Sequence, residues 1–152
     1  MLQSMNELRD RALALPRQTV AVACAHDKEA MKAVAQAHSL GLAHFVLVGN
    51  TDKIKTIADK LELNLDSFEL VEARGEEAGA ASAVKVVASG RAQILLKGFL
   101  DSSVLLKAVL DRSTGLRDGG MVSHTVVMDV PGFPKLYLLT DAAMNIRPDL
   151  EA

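Results

Sequence analysis

"TVAVACA" at residues 19–25 runs through His26 into "DKEAMKAVAQAHSLGL" at 27–42, and this junction decides how the rest of the chain is read. The first piece is dominated by small and β-branched apolar residues and reads as a strand. The second places Met31, Val34 and Ala35 along one side of a helix and Lys28, Lys32, Gln36 and Ser39 along another, and it closes near Gly41. A near-continuous apolar strand followed by an amphipathic helix is the repeating unit of a parallel sheet covered on both faces.

The unit recurs. "HFVLVG" (44–49) is a second strand and "DKIKTIADKL" (52–61) a second helix, with Thr51 or Asp52 as its cap. "FELVEA" (68–73) is a third strand, and "EEAGAASAVKVVAS" (76–89) a third helix ended by Gly90. "QILLKG" (93–98) is a fourth strand, with Ile94, Leu95 and Leu96 suited to burial, and "SSVLLKAVL" (102–110) a fourth helix. After residue 111 the pattern changes. "STGLRDGG" (113–120) is a Gly-rich loop; "MVSHTVVMDV" (121–130), "PGFP" and "KLYLLTD" (135–141) read as an antiparallel hairpin around a Pro-Gly turn. The predicted class is α/β: a parallel sheet flanked by helices, with an antiparallel β-hairpin added, in one domain spanning 1–152.

The chain has 152 residues, 49% of them hydrophobic and 24% charged, which places it among globular rather than disordered sequences. A net charge of −2, no basic stripe and 3% aromatic residues argue against a nucleic-acid platform. The single Cys24 lies in the first apolar run and reads as a buried, inert thiol, which points to a reducing compartment. The opening "MLQSMNELRDRALALP" has no continuous apolar core, and no run approaches the roughly 18 residues of a membrane span. A cytoplasmic protein without membrane contact is expected.

Several common α/β chemistries lack their motifs. There is no G-x-G-x-x-G, no G-x-x-x-x-G-K-[ST] and no G-x-S-x-G, and His26, His38, His44 and His124 are scattered without metal spacing. What remains is position. Open α/β sheets bind ligands at the carboxyl ends of their strands. The richest of those ends is Lys97-Gly98, where glycine permits close approach and Asp101 caps a helix carrying Ser102 and Ser103 in its first turn. Lys107 shares a helix face with Ser103. These residues suit an anion, but Asp, Ser and Ser are also ordinary capping residues, and a lysine at a strand end is commonly just solvated. Arg112 and Arg117 suit a phosphate or solvent equally, and His124, alternating with Val122, Val126 and Met128, suits a core position as well as a catalytic one.

The stretch "LLKGFLDSSVLLKAVLDRSTGLRDGGMVSHTVVMDVPGF" with "LLTDAAMNIRPDLE" resembles the phosphate acetyl/butyryltransferase family, nearer its butyryl branch, and "VAVACAHDKEAMKAV" with "FVLVG" fits that family's opening unit. The resemblance implies transfer of a short acyl group between coenzyme A and inorganic phosphate by direct attack of phosphate on the thioester, with no metal and no tightly bound cofactor. It implies an isocitrate/isopropylmalate dehydrogenase-like fold with the site in a cleft between two α/β domains. Ser102 and Lys107 match family residues near the substrate, where relatives carry Thr and Arg. Lys97, Gly98, Ser103, Arg117, Ser123 and His124 match motif positions and complete the expected substrate-binding set.

Family proteins continue into a second domain with an "ADS"-type motif, whose aspartate is the expected acid/base; this chain does not contain that motif. The closing "NIRPDLEA" carries a helix-start signal at Pro148, which reads as a chain cut before its second domain or as a tail. A weakly active or inactive half-enzyme is therefore expected, associating as a dimer through exposed apolar surface. The alternatives are a non-catalytic coenzyme A- or phosphate-binding half-domain or oligomerisation module, and a decarboxylating dehydrogenase of the same fold.

Overall fold

The computed structural model describes residues 2–117 and 122–141. In chain order its elements are α1 (Met5–Leu13), β1 (Gln18–Ala23), α2 (Lys28–Ser39), β2 (Ala43–Gly49), α3 (Thr51–Lys60), a short 3-10 turn (Leu65–Ser67), β3 (Glu69–Glu72), α4 (Glu76–Ala88), β4 (Ile94–Lys97), α5 (Ser102–Val109), β5 (Thr125–Met128) and β6 (Tyr137–Thr140). They form two compact units, one of residues 16–117 and one that joins the first 15 residues to those after 117.

The larger unit is a parallel four-stranded sheet in the order β3-β2-β1-β4. The chain steps outward from β1 to β2 to β3, then returns past β1 to place β4 on its other side. That reversal puts α2 and α3 on one face and α4 and α5 on the other, as crossovers of one hand require. Strand residues alternate between the faces. Val20, Val22, Phe45 and Leu47 pack with Met31, Val34, Ile54, Ala58 and Phe68. Ala21, Ala23, Val46 and Val48 pack with Ala80, Ala83, Val86 and Leu100, flanked by Val104 and Ala108.

Helix starts follow local side-chain chemistry. Asp27 caps α2, accepting from the Ala30 N–H at 2.9 Å. Asn50, rather than Thr51 or Asp52, caps α3, accepting from the Lys53 N–H at 2.9 Å. Thr51 is occupied elsewhere: its N–H and hydroxyl both donate to Glu72 at the end of β3. Gly41 leaves α2 with φ +71° and Gly90 leaves α4 with φ +78°, the left-handed turn in which glycine is favoured.

Burial of β4 differs from expectation. In register with Val20 and Val22, Ile94 and Leu96 point to the α2/α3 face, yet they are 45% and 39% exposed. Only Leu95, on the α4/α5 face, packs against a core cluster. β4 is the edge strand on the β1 side of the sheet, and neither α2 nor α3 extends over it.

In the smaller unit, β5 and β6 pair antiparallel, with Val126 opposite Leu139. The turn is the expected one: Gly132 has φ +86° after Pro131, and the Phe133 N–H reaches the Val130 carbonyl at 3.1 Å. Sequence reading misses α1, although "SMNE" carries the Ser-x-x-Glu start signal. Ser4 accepts from the Glu7 N–H, and the Glu7 carboxylate accepts from the Gln3 N–H at 2.8 Å. The Met5 N–H donates to Asp129 and the Leu136 N–H to the Leu2 carbonyl, tying α1 to the hairpin. Residues 118–121 of the Gly-rich loop and hairpin start, and the helix start at Pro148 with the rest of 142–152, lie outside the described residues. Among the described residues, no helix is long and apolar enough to cross a membrane.

Candidate functional site

The strand order places the topological switch between β1 and β4. Their carboxyl ends are joined there by backbone. The Gly98 N–H donates to the Ala23 carbonyl at 2.8 Å and the Phe99 N–H to the Cys24 carbonyl at 3.1 Å. A Cβ on Gly98 would lie 2.5 Å from both carbonyl oxygens. The glycine is thus required by contact with β1, a nearer demand than the approach of a ligand. Cys24 is buried with φ +54°, and burial followed by the Glu76 charge pushes its thiol pKa up, so it stays protonated and unreactive.

The first turn of α5 is capped from within. One oxygen of Asp101 accepts from both the N–H and the hydroxyl of Ser103, each at 2.8 Å. These bonds, with a smaller pull from the Lys97 ammonium, hold the Asp101 carboxyl below its usual range. The Asp101 N–H donates in turn to Glu76 at 2.9 Å, linking the starts of α4 and α5. The expected anion site therefore already holds a carboxylate of the chain, and Ser103 is one of the capping residues.

Beside that turn lies a groove of about 510 Å³ between α4 and α5. Ala81, Val84, Val104 and Ala108 form its floor; Glu77, Ser103, Lys107, Asp111 and Thr114 form its rim. Residues 77, 81 and 84 follow one helix face of α4, and 103, 104, 107 and 108 follow the facing side of α5. The Lys107 ammonium has no carboxylate partner among the described residues. Asp111 is fixed at the groove end by the hydroxyls and N–H groups of Ser113 and Thr114, which lower its pKa. A volume in this range, with an apolar floor and few polar groups, suits a small organic ligand.

The structure brings together Ser103 and Lys107 in this groove, with Lys97 and Gly98 at the adjoining strand end. Ser102 is exposed in the same turn, and Arg117 is exposed without an ion-pair partner among the described residues. Ser123 and His124 belong to the smaller unit. There Ser123 is exposed, and the N–H of the half-buried His124 donates to the Asp141 carboxylate at 3.3 Å while its carbonyl accepts from the Asp141 N–H at 2.7 Å. Its Nδ1 is buried with no hydrogen-bond partner among the described residues. Sequence reading does not find Glu77, Ala81 and Val84. Their signal is the i, i+4, i+7 spacing within "EEAGAASAV", which becomes a site only once α4 is set against α5. A smaller cavity of about 280 Å³, lined by His26, Asp52, Lys53, Thr56 and Ile57, opens between α3 and the turn that follows β1. Among the described residues, no group of three or more His, Cys, Asp or Glu side chains is placed to hold a metal.

The comparisons with known proteins agree on one family. The family described as "Phosphate acetyl/butaryl transferase" matches residues 4–84. Phosphate butyryltransferase of Clostridium beijerinckii is 37% identical over 151 residues, covering 99% of this chain and 50% of the relative. Phosphate acetyltransferase of Rhizobium meliloti is 39% identical over 126 residues, covering 83% and 40%. The crystal structure of a branched-chain phosphotransacylase from Enterococcus faecalis V583 superposes with a TM-score of 0.69 at 33% identity, covering 87% of this chain and 45% of that one. A phosphotransacetylase from Streptococcus pyogenes shares the fold, with a TM-score of 0.77 at 15% identity. The chain spans about half the length of the curated relatives it matches. A match to the family over residues 4–84, with identity to its members extending through α5 and the hairpin, establishes that the chain belongs to the phosphate acetyl/butyryltransferase family.

Proposed function

We propose that this chain forms one side of the active site of an acyl-CoA:phosphate acyltransferase, moving a butyryl or acetyl group between coenzyme A and inorganic phosphate. The observation that carries the reading is the identity to a phosphate butyryltransferase across 99% of the chain. In this reaction a phosphate oxygen attacks the thioester carbonyl carbon. The carbonyl becomes an oxyanion, the C–S bond breaks, and coenzyme A leaves as a thiol after receiving a proton. Each stage needs positive charge or hydrogen-bond donors placed in advance. Lys97 and Lys107, before and one turn beyond the start of α5, supply that charge. Ser102 adds an exposed hydroxyl, and among the described residues Lys107 has no ion pair to break before it meets substrate.

The reading assigns the acid that protonates the leaving thiolate to a second domain of the family's two-domain, isocitrate dehydrogenase-like plan. The 152 residues by themselves then bind acyl-CoA but turn it over weakly or not at all. Coenzyme A and phosphate act as substrates, no tightly bound cofactor is needed, and the setting is cytoplasmic. Exposed Ile94, Leu96 and Phe99, the last at 65%, support self-association as a dimer.

The test mixes the chain with butyryl-CoA and phosphate while following free thiol, alongside calorimetric titration of butyryl-CoA. Binding that falls about 10- to 100-fold in Lys107→Ala, as expected for loss of a charged hydrogen bond, supports the assignment. Full binding and unchanged thiol release in that variant would remove Lys107 from the site. Sustained turnover by wild type would show that these residues hold a complete site.

A further inference from the structure

We infer that the α4–α5 groove receives the uncharged end of the thioester substrate, with the acyl tail lying on Ala81, Val84, Val104 and Ala108, and that positions 81 and 108 set the acyl length accepted. The inference rests on the acyltransferase reading above and adds to it a place for the tail.

Charge is the first argument. The rim carries Glu77 and Asp111 against the single cation Lys107, while at the nearby helix starts the capping carboxylate of Asp101 is drawn to Lys97 and Glu76 accepts from the Asp101 N–H. A phosphate dianion inside this groove would face more negative than positive side chains. An acylated pantetheine arm is neutral. Its amide N–H groups suit a carboxylate rim, and its thioester carbonyl suits the Lys107 ammonium.

Shape is the second argument. The floor is apolar, and alanine at 81 and 108 leaves space that a larger side chain on either helix would fill. A groove of about 510 Å³ accommodates a short acyl chain with part of its carrier. The hydrophobic effect then makes affinity rise with each methylene laid on the floor.

The experiment is calorimetric titration of the full 152-residue chain with S-acetyl-, S-butyryl- and S-hexanoyl-pantetheine, probes that carry no phosphate. Wild type is expected to gain about three- to fourfold in affinity per added methylene. Ala81→Leu, at an exposed position where the thermal midpoint is expected to hold, is expected to abolish the gain from acetyl to hexanoyl; Ala108→Leu provides a second, independent obstruction. Equal affinity of wild type for the three probes overturns the inference, as does a gradient that survives in both variants. Coenzyme A binding without any pantetheine-thioester binding also overturns it while leaving the acyltransferase reading in place. Failure of both coenzyme A and butyryl-CoA to bind would sink that reading, and this inference with it.

Discussion

The two faces of the sheet are built from different side chains, and only one of them leaves a large opening. On the α2/α3 face, Phe45, Leu47, Met31, Ile54 and Phe68 are large, and the gap between sheet and helices is filled. On the α4/α5 face most of the buried set is small: Ala21, Ala23, Ala73, Ala80, Ala83 and Ala92, with Cys24, three valines and, as its one large member, Leu100. Small residues bring α4 close to the sheet, and Gly79 brings it against the Cys24 sulfur. The helices meet the sheet tightly there, while the groove opens between the helices themselves. One face is organised for stability, and the other leaves a ligand-sized space beside two lysines.

The crowded face should carry the larger share of stability. Ile54→Ala, at a fully buried position, is expected to cost about 2–5 kcal/mol in chemical denaturation. A cost below that of an equivalent truncation at Val104 would break the contrast. At the seam between the faces, Gly98→Ala must displace the β1 carbonyls, at an expected cost of about 1–3 kcal/mol. If the same substitution left stability intact and removed only ligand binding, Gly98 would be a ligand contact instead.

The smallest expected effect concerns the exposed Glu72, which fastens α3 to β3. Bonds from the Thr51 hydroxyl and N–H, then Arg74, lower its pKa from 4.5 to about 2. A folded-state pKa below the unfolded value stabilises the protein above pH 4.5, and the gain disappears as pH falls toward 2. Wild type should therefore exceed Glu72→Gln in stability at neutral pH and converge with it across that window. Curves that stay parallel from pH 4.5 down to 2 would mean that the carboxylate contributes nothing.

Much of this fold is legible because the strands are short apolar runs and the helices have one apolar side. The four parallel strands and their helices emerge within three residues of their positions, the largest difference being the end of α2 at Ser39 rather than 42. Misreadings arise where tertiary context decides. Ile94 and Leu96 read as buried because their type says so, but an edge strand is covered only where a helix reaches it. Asn50 caps α3 because Thr51 is bonded to β3, a partner twenty-one residues away. The candidate site was legible at Ser103 and Lys107, which share one helix face. It was not legible at Glu77 and Ala81, because no local pattern tells which helix α5 will lie against.

The most direct test of the site's location is a methyl spectrum of the chain, labelled at Ala, Val, Leu, Ile and Met, recorded during titration with butyryl-CoA. Shifts are expected to concentrate at Ala81, Val84, Val104 and Ala108, with Met31, Leu47 and Ile54 unmoved. Shifts centred on Met31, Leu47 and Ile54, or saturating binding that leaves the α4–α5 methyls unperturbed, would contradict it.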